Sequence, residues 1–275
     1  MNPDSPKVGS GSVPGPKVSI VTVAYNCASS ILPTMQSVFD QTYSNIEYIV
    51  VDGASKDQTL ELVLMHRDKI AHIVSEPDSN MYDGINKGIR LATGEVFGLI
   101  HAGDRLYSRD TIAKIAAAFT CDQLDAVYGH SVHVDKADKV VRENRSPPFS
   151  LSAIRRGWMP SHQGIYIKKS LIESHGDYRT DLGGDGDYEF FIRHFYKHTI
   201  RAKLVNDFVV RFSLGGSSTT NYHRLFKRQL AHVNCWRING LSPPPFLVTF
   251  KLARKVPQFF RGLLSRVLAR HSRED

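Results

Sequence analysis

Ser75–Asp104, SEPDSNMYDGINKGIRLATGEVFGLIHAGD, decides the fold. Within it a polar loop opens a segment of helical spacing, Tyr82–Ala92, and Glu95–Ile100 then reads as an apolar strand. That strand runs out onto His101-Ala102-Gly103-Asp104, so an isolated carboxylate stands at its exit. In an open α/β sheet the strand exits face the ligand crevice, and a carboxylate there can hold a divalent cation against phosphates.

Outward from this stretch the same alternation repeats. Lys17–Val23, Glu47–Asp52 and Ile70–Ser75 are short β-branched runs that read as strands, with helices expected at 28–41, 57–67 and 108–119, the last capped by Ser108. Strands alternating with helices predict an α/β chain built on a mostly parallel, doubly wound sheet. Further on, 126–142 reads as a hairpin, 164–168 and 202–212 as strands, and 187–196 and 222–239 as helices. No internal repeat is present.

A chain of 275 residues, 41% hydrophobic, buries a full core in one large domain. Cys27, Cys121 and Cys235 are odd in number and widely spaced, which fits reduced thiols in a cytosolic compartment better than a disulfide framework. Residues 1–16, rich in Gly, Pro and Ser without an apolar run, read as a disordered leader. No segment is long and apolar enough to span a bilayer. The net charge is +8, and residues 241–275 hold seven Lys or Arg against two acids. There Phe246, Phe250, Phe259, Phe260 and Leu263 interleave with Lys251, Arg254, Lys255 and Arg261, a basic amphipathic extension suited to an anionic membrane surface. The alternative is a solvated helix packed on the domain.

Several classes are excluded. No Gly-x-Gly-x-x-Gly follows the first strand, where VTVAYNC stands, and no Walker-type loop occurs, so a nucleotide would be held by strand-end side chains. The Gly-rich, Arg- and Lys-bearing N-terminal loop of a nucleotidyltransferase is missing. Nucleic acid is not an expected partner, because the basicity lies mainly in the apolar-interleaved tail and no reading module is present.

Ser19–Thr59, SIVTVAYNCASSILPTMQSVFDQTYSNIEYIVVDGASKDQT, together with Ser75–Asp104, resembles the family 2 glycosyltransferases. The likeness runs from about Lys17 to Gly216 and is strongest to the bacterial exopolysaccharide, colanic acid and glycolipid branch. It implies the GT-A fold in residues 17–216, with a nucleotide-sugar half at 17–107, an acceptor half at 108–216 and C-terminal helices at 217–275. It further implies a nucleotide-sugar donor (a UDP-sugar by default), Mn2+ or Mg2+, and inverting transfer to a hydroxyl of a lipid-linked or glycan acceptor. Such an enzyme would be cytoplasmic and peripheral on the inner face of the cell membrane.

The resemblance also implies site residues. Thr22, Ala24, Tyr25 and Asn26 would edge the base and ribose, a simple turn being the alternative. Asp52 would accept from a base imide or ribose hydroxyl, while Ser55 and Asp57 cap the next helix; Gly53 stands where many relatives carry a second acid. Asp78, Asp83, Asn86 and Lys87 would lie near the donor. Asp104 would be the metal-binding acid of a degraded Asp-x-Asp motif, with His101 as a further imidazole ligand or a structural histidine. His162, beside Gln163, matches a motif placed near the diphosphate and acceptor. In LGGDGDYEFFIRH, Asp187 would be the catalytic base, with Asp185 the runner-up, and Arg193 would brace acids on its helix. FSLGGSS, residues 212–218, would form a lid. A catalytically idle sugar-nucleotide-binding or scaffold relative is the alternative that the thinned motif leaves open.

Overall fold

The structure is a computed structural model that describes residues 15–214 and 222–249. Most of the leader, most of the expected lid and the tail beyond 249 lie outside the described residues.

The strands are β1 (Val18–Ala24), β2 (Ile46–Asp52), β3 (His72–Ser75), β4 (Val96–Leu99), β5 (Arg105–Leu106), β6 (Ala126–Val134), β7 (Val140–Asn144), β8 (Ile165–Lys168) and β9 (Ala202–Ser213). They join in one nine-stranded sheet of order β3-β2-β1-β4-β8-β6-β9-β5, with β7 paired to β6. The β3-β2-β1-β4 half is wholly parallel, as expected from the alternation. Beyond β4 the sheet is mixed: β8 runs antiparallel to β4 and β6, β6 and β9 are parallel, and β5 and β7 pair antiparallel. The expected hairpin forms from β6 and β7.

The helices are α1 (Ile31–Phe39), α2 (Thr59–Leu64), α3 (Met81–Leu91), α4 (Thr111–Asp122), α5 (Leu151–Arg155), α6 (Lys169–His175), α7 (Gly186–Phe191) and α8 (Tyr222–Ile238). Residue alternation in the central strands sorts them into two layers. Val18, Ile20, Tyr48 and Val50 pack with Met35 of α1, Val63 of α2 and Ile112 of α4. Val21, Ile49 and Val51 pack on the other face with Ile85 of α3, Phe191 of α7 and Trp236 of α8.

Local chemistry sets the ends of the elements. Asn80 caps α3 by accepting from the amides of Tyr82 and Asp83. Tyr82, Ile85 and Ile89 form its buried face. Gly84 and Gly88, one turn apart, let the helix settle onto β1: a Cβ at Gly88 would lie 2.4 Å from Val21, and one at Gly84 2.8 Å from Val23. Ser108 does not cap α4. Asp110 holds that position, while the Ser108 amide donates to Thr111 Oγ1 at 3.0 Å. The 187–196 helix is α7, which widens into a π-helical turn over Ile192–Lys197. None of the three cysteines forms a disulfide, and among the described residues no helix is long and apolar enough to cross a membrane.

Candidate active site

The crevice opens at the C-terminal ends of β1, β2 and β4. Two loops there are knitted together. Asn26, in the left-handed region at φ 47°, accepts the Lys56 amide at 2.7 Å through its side chain and donates its own amide to Ser55 Oγ at 2.9 Å. The Gly53 amide donates to Ala24 O at 2.9 Å, and Asp57 accepts from the amides of Ala28 and Thr59 at 3.0 Å. Asp52 is fully buried; it accepts from the Ser55 amide at 3.0 Å, from Ser75 Oγ at 2.7 Å and from the Ser55 hydroxyl. Thr22 is also buried and accepts from the Tyr48 hydroxyl at 2.9 Å. Of the strand-end residues expected to meet a ligand, Tyr25, 63% exposed, and Asn26 are exposed, while Thr22, Ala24 and Asp52 are buried.

Below Tyr25 lies an acidic corner. A Cβ on Gly53 would lie 3.1 Å from Asp78 and 3.4 Å from the Tyr25 ring, so glycine leaves these groups room to converge. Lys87, expected near the donor, is tied to the Pro77 carbonyl at 2.9 Å, Asp78 at 2.7 Å and Glu76 at 3.0 Å, with Asp83 3.9 Å away. Burial would lower its pKa, but the bonds to Asp78 and Glu76 outweigh that and hold it above its ordinary value. Asp83 accepts the Ser79 amide at 3.0 Å. The Asn86 amide is occupied at both ends by the main chain of Tyr178, at 2.7 and 2.9 Å, and ties α3 to the segment before α7.

Asp104 follows β4. Its carboxylate accepts from Gln163 Nε2 at 2.6 Å and from the Ser213 amide at 3.0 Å, and among the described residues it pairs with no Lys or Arg. Burial raises its pKa, and these two bonds offset that only in part. Gly103, at φ 97°, makes the turn that delivers it, with the Gly103 amide donating to Thr34 Oγ1 at 3.0 Å.

From Asp104 a polar row crosses to the other half of the chain. Gln163, almost wholly buried, accepts the His101 amide at 2.7 Å with the oxygen of the side chain whose nitrogen serves Asp104. The Nε2 atoms of His101 and His162 face each other at 3.0 Å, so one carries the proton and the other accepts it. Burial, aided by His162, pushes the His101 pKa down to about 3, which keeps that ring neutral. His162 Nδ1 lies 3.9 Å from Asp187 Oδ2. The Tyr82 hydroxyl, reaching from α3, accepts the Asp187 amide at 3.1 Å. Asp185 turns away from this row toward α8, where it lies 3.2 Å from His232 Nε2. Arg193 grips both oxygens of buried Glu189 at 2.9 Å and the carbonyls of His175, Gly176 and Asp177, the bracing expected of it.

Among the described residues no group of three or more His, Cys, Asp or Glu converges to hold a metal. The protein side of the crevice therefore fits a cation held by one carboxylate, with substrate phosphates and water completing the shell, the common mode for Mg2+. A half-buried carboxylate at Asp104 with no Lys or Arg partner among the described residues is the feature that suits such an ion.

Residues 19–179 match the family model described as Glycosyl transferase family 2. The chain belongs to that family. Relatives of this family 2 glycosyltransferase include an uncharacterized glycosyltransferase of Mycobacterium tuberculosis, 31% identical over 181 residues, which covers 65% of this chain and 68% of the relative. A PGL/p-HBAD biosynthesis glycosyltransferase of Mycobacterium bovis is 27% identical over 223 residues, 78% of this chain and 84% of the relative. Among solved structures, S. aureus TarS 1–349 in complex with UDP-GlcNAc superposes with a TM-score of 0.64 at 18% identity, over 79% of this chain and 67% of that one. The mannosyltransferase PcManGT of Pyrobaculum calidifontis, in complex with GDP-Man and Mn2+, gives 0.60 at 21% identity, over 88% and 70%. The fold of this family 2 chain is GT-A.

Sequence reading singled out His101, His162 and Asp187 separately; their alignment in one row emerges only from the fold. In the sequence Tyr82 marks only the start of a helix. Gln163 stands beside His162 in the sequence, and its double role emerges from the geometry. A cavity of about 600 Å3 lies away from this row, lined by His130, Arg145, Phe149, Lys203 and Asn206 among others.

Proposed function

We propose that this family 2 chain is an inverting, metal-dependent glycosyltransferase that moves a sugar from a nucleotide sugar, by default a UDP-sugar, to a hydroxyl of a lipid-linked or glycan acceptor. The observation that carries the reading is the row from Asp104 through Gln163, His101 and His162 to Asp187, which links a strand-exit carboxylate to a second carboxylate from the other half of the chain. The complexes of TarS with UDP-GlcNAc and of PcManGT with GDP-Man and Mn2+ support a nucleotide-sugar donor and a divalent cation.

In this reading Tyr25 and Asp78 edge the base and ribose, and Thr22, Ala24, Asn26 and Asp52 hold the loop that presents them. Asp104 holds Mn2+ or Mg2+. The chemistry the cation supplies when bound is neutralisation of the diphosphate as the sugar leaves it. Asp187 takes the acceptor hydroxyl proton while that oxygen forms its bond to the anomeric carbon. The bond from that carbon to the diphosphate oxygen breaks, the nucleoside diphosphate leaves with the electron pair, and the anomeric configuration inverts. The proximity of Asp185 to His232 favours Asp187 as the base. The basic tail would seat the enzyme on an anionic membrane at the cytoplasmic face.

Thermal stabilisation by UDP-, GDP- and dTDP-sugars with and without Mn2+, beside transfer assays on Asp187→Asn, tests this reading. The expected result is a metal-dependent shift for one nucleotide, preserved in the variant while transfer is lost. Full transfer by the variant would move the base to Asp185 or elsewhere. Donor binding without transfer by the unmodified chain would point to a sugar-nucleotide-binding or scaffold relative.

A further inference from the structure

Tyr82 stands where α3 meets the helix that carries Asp187, and its ring and its hydroxyl answer to different demands. The buried ring belongs to a stack: Tyr178 lies nearly parallel to it with centroids 5.7 Å apart, and Phe190 of α7 follows Tyr178 at 4.0 Å. Phenylalanine would fill that place equally well. The hydroxyl is the part that packing does not require. It accepts the Asp187 amide at 3.1 Å and lies 3.5 Å from Oδ1 of the same residue, the amide bond being the firmer of the two.

Gly186 makes that reach possible. A Cβ there would lie 2.9 Å from the Tyr82 ring and 2.9 Å from the Arg179 carbonyl. The backbone at Gly186 is ordinary helix, with φ −62°, so closeness of approach rather than conformation calls for glycine. Two further ties fix the same junction. The Asn80 side chain donates to the Thr180 carbonyl at 2.9 Å, and Asn86 engages both the amide and the carbonyl of Tyr178. The hydroxyl is therefore delivered by a helix clamped to the segment it serves.

The two carboxylate oxygens of Asp187 consequently differ. Oδ1 accepts the Tyr188 amide at 2.8 Å and has the Tyr82 hydroxyl beside it, whereas Oδ2 faces His162 Nδ1 at 3.9 Å. A carboxylate held through one oxygen presents the other in a fixed direction, which is what proton abstraction from a bound hydroxyl needs.

We propose that Tyr82 is a positioning residue for the base: its hydroxyl holds the start of α7 and Oδ1 of Asp187, so that Oδ2 takes the proton of the acceptor hydroxyl. This rests on the transferase reading above and deepens it, by naming the reacting oxygen and the group that orients it.

The test follows release of nucleoside diphosphate from the UDP-, GDP- or dTDP-sugar that gives the Mn2+-dependent shift, with water or octyl glucoside as the acceptor. Tyr82→Phe keeps the stack and removes only the hydroxyl. It should lower kcat by about ten-fold or more while the donor KM and the Mn2+-dependent shift stay as in the wild type. Gly186→Ala, which displaces the ring, should also lower kcat, and adding Tyr82→Phe to it should cost less than it does in the wild type. Full kcat in Tyr82→Phe beside an inactive Asp187→Asn would overturn the positioning role alone. Fully additive losses in the double variant would do the same, as would a Tyr82→Phe defect confined to KM or accompanied by loss of the donor shift, since each marks a hydroxyl that acts elsewhere or only holds the fold. No release by the wild type would count against the transferase reading, and equal release by wild type and Asp187→Asn against the assigned base; either takes the positioning role with it.

Discussion

Glu47 and Asp104 stand at opposite ends of the same parallel strands, and their surroundings differ in kind. At the N-terminal end, Glu47 is buried yet accepts from Lys17 at 2.8 Å, Ser19 at 2.5 Å, and the Thr93 amide and hydroxyl at 2.6 and 2.5 Å. Burial would raise its pKa, but these bonds win and bring it down to about 2. Asp104, at the C-terminal end, accepts from two neutral donors and is held above its ordinary value. One carboxylate is completed by the fold, and the other is the one that the proposed reading gives to a cation. Stability and ligand chemistry are thus assigned to opposite edges of the sheet, as strand exits in α/β folds dictate.

The largest expected effect comes from breaking the incomplete end. Asp104→Ala should abolish Mn2+-dependent stabilisation by the donor and lower kcat/KM by roughly a thousand-fold, about 4 kcal/mol. The melting temperature of the ligand-free protein should change little. An ionised group whose folded pKa is raised is a net cost to the fold once the pH exceeds that value, so its removal takes away no stabilising charge. A large drop in melting temperature would mean that Asp104 is as structural as Glu47.

The complementary test breaks the completed end. Glu47→Gln should cost about 2 kcal/mol, because a buried amide NH2 then faces donors that the carboxylate accepted, while half-exposed Lys17 keeps its bond to Thr93, and the folded variant should keep its donor affinity. The pH dependence follows from the sign of the shift. A carboxylate whose folded pKa is depressed stabilises fully above the unfolded value, and that contribution drains away as pH falls from 4.5 toward 2. Acid unfolding of wild type should therefore steepen in that window, and the variant should lose this part of the transition. Identical acid profiles would remove Glu47 from the account.

The sequence made one end of the molecule far more legible than the other. β1 to β4 announce themselves because parallel strands buried on both faces need uninterrupted β-branched runs, and Val18–Ala24 and Ile46–Asp52 supply them. Asp104 was readable because a carboxylate after such a run has one usual place in the fold. The mixed half was harder. β5 is two residues long and carries no period, and the antiparallel insertion of β8 between β4 and β6 depends on contacts remote in sequence. Asp52 carried a ligand-type signal, yet its burial and its three donors show how a short polar loop can absorb a strand-end acid. The pairing of His133 with Arg142 carried no signal, because cross-strand register decides which side chains of a hairpin share a face.

Gln163 offers the finest test of the contrast, since among the described residues its side chain touches both the carboxylate of Asp104 and the histidine row. Its orientation is fixed, with oxygen toward the His101 amide and nitrogen toward Asp104, so neither end can be exchanged without turning a donor against a donor. Gln163→Leu keeps the bulk and removes both bonds. It should raise the donor KM by about ten-fold, the worth of one bond to a charged group, and change kcat much less. Gln163→Glu should do worse than leucine, because it sets a second carboxylate against Asp104 in a site that already disfavours charge, unless Mn2+ recruits both oxygens. An inverted order, with glutamate retaining affinity at high Mn2+, would mean that the position can complete the cation's shell, and the incomplete end of the sheet would then be one substitution away from a two-carboxylate metal site.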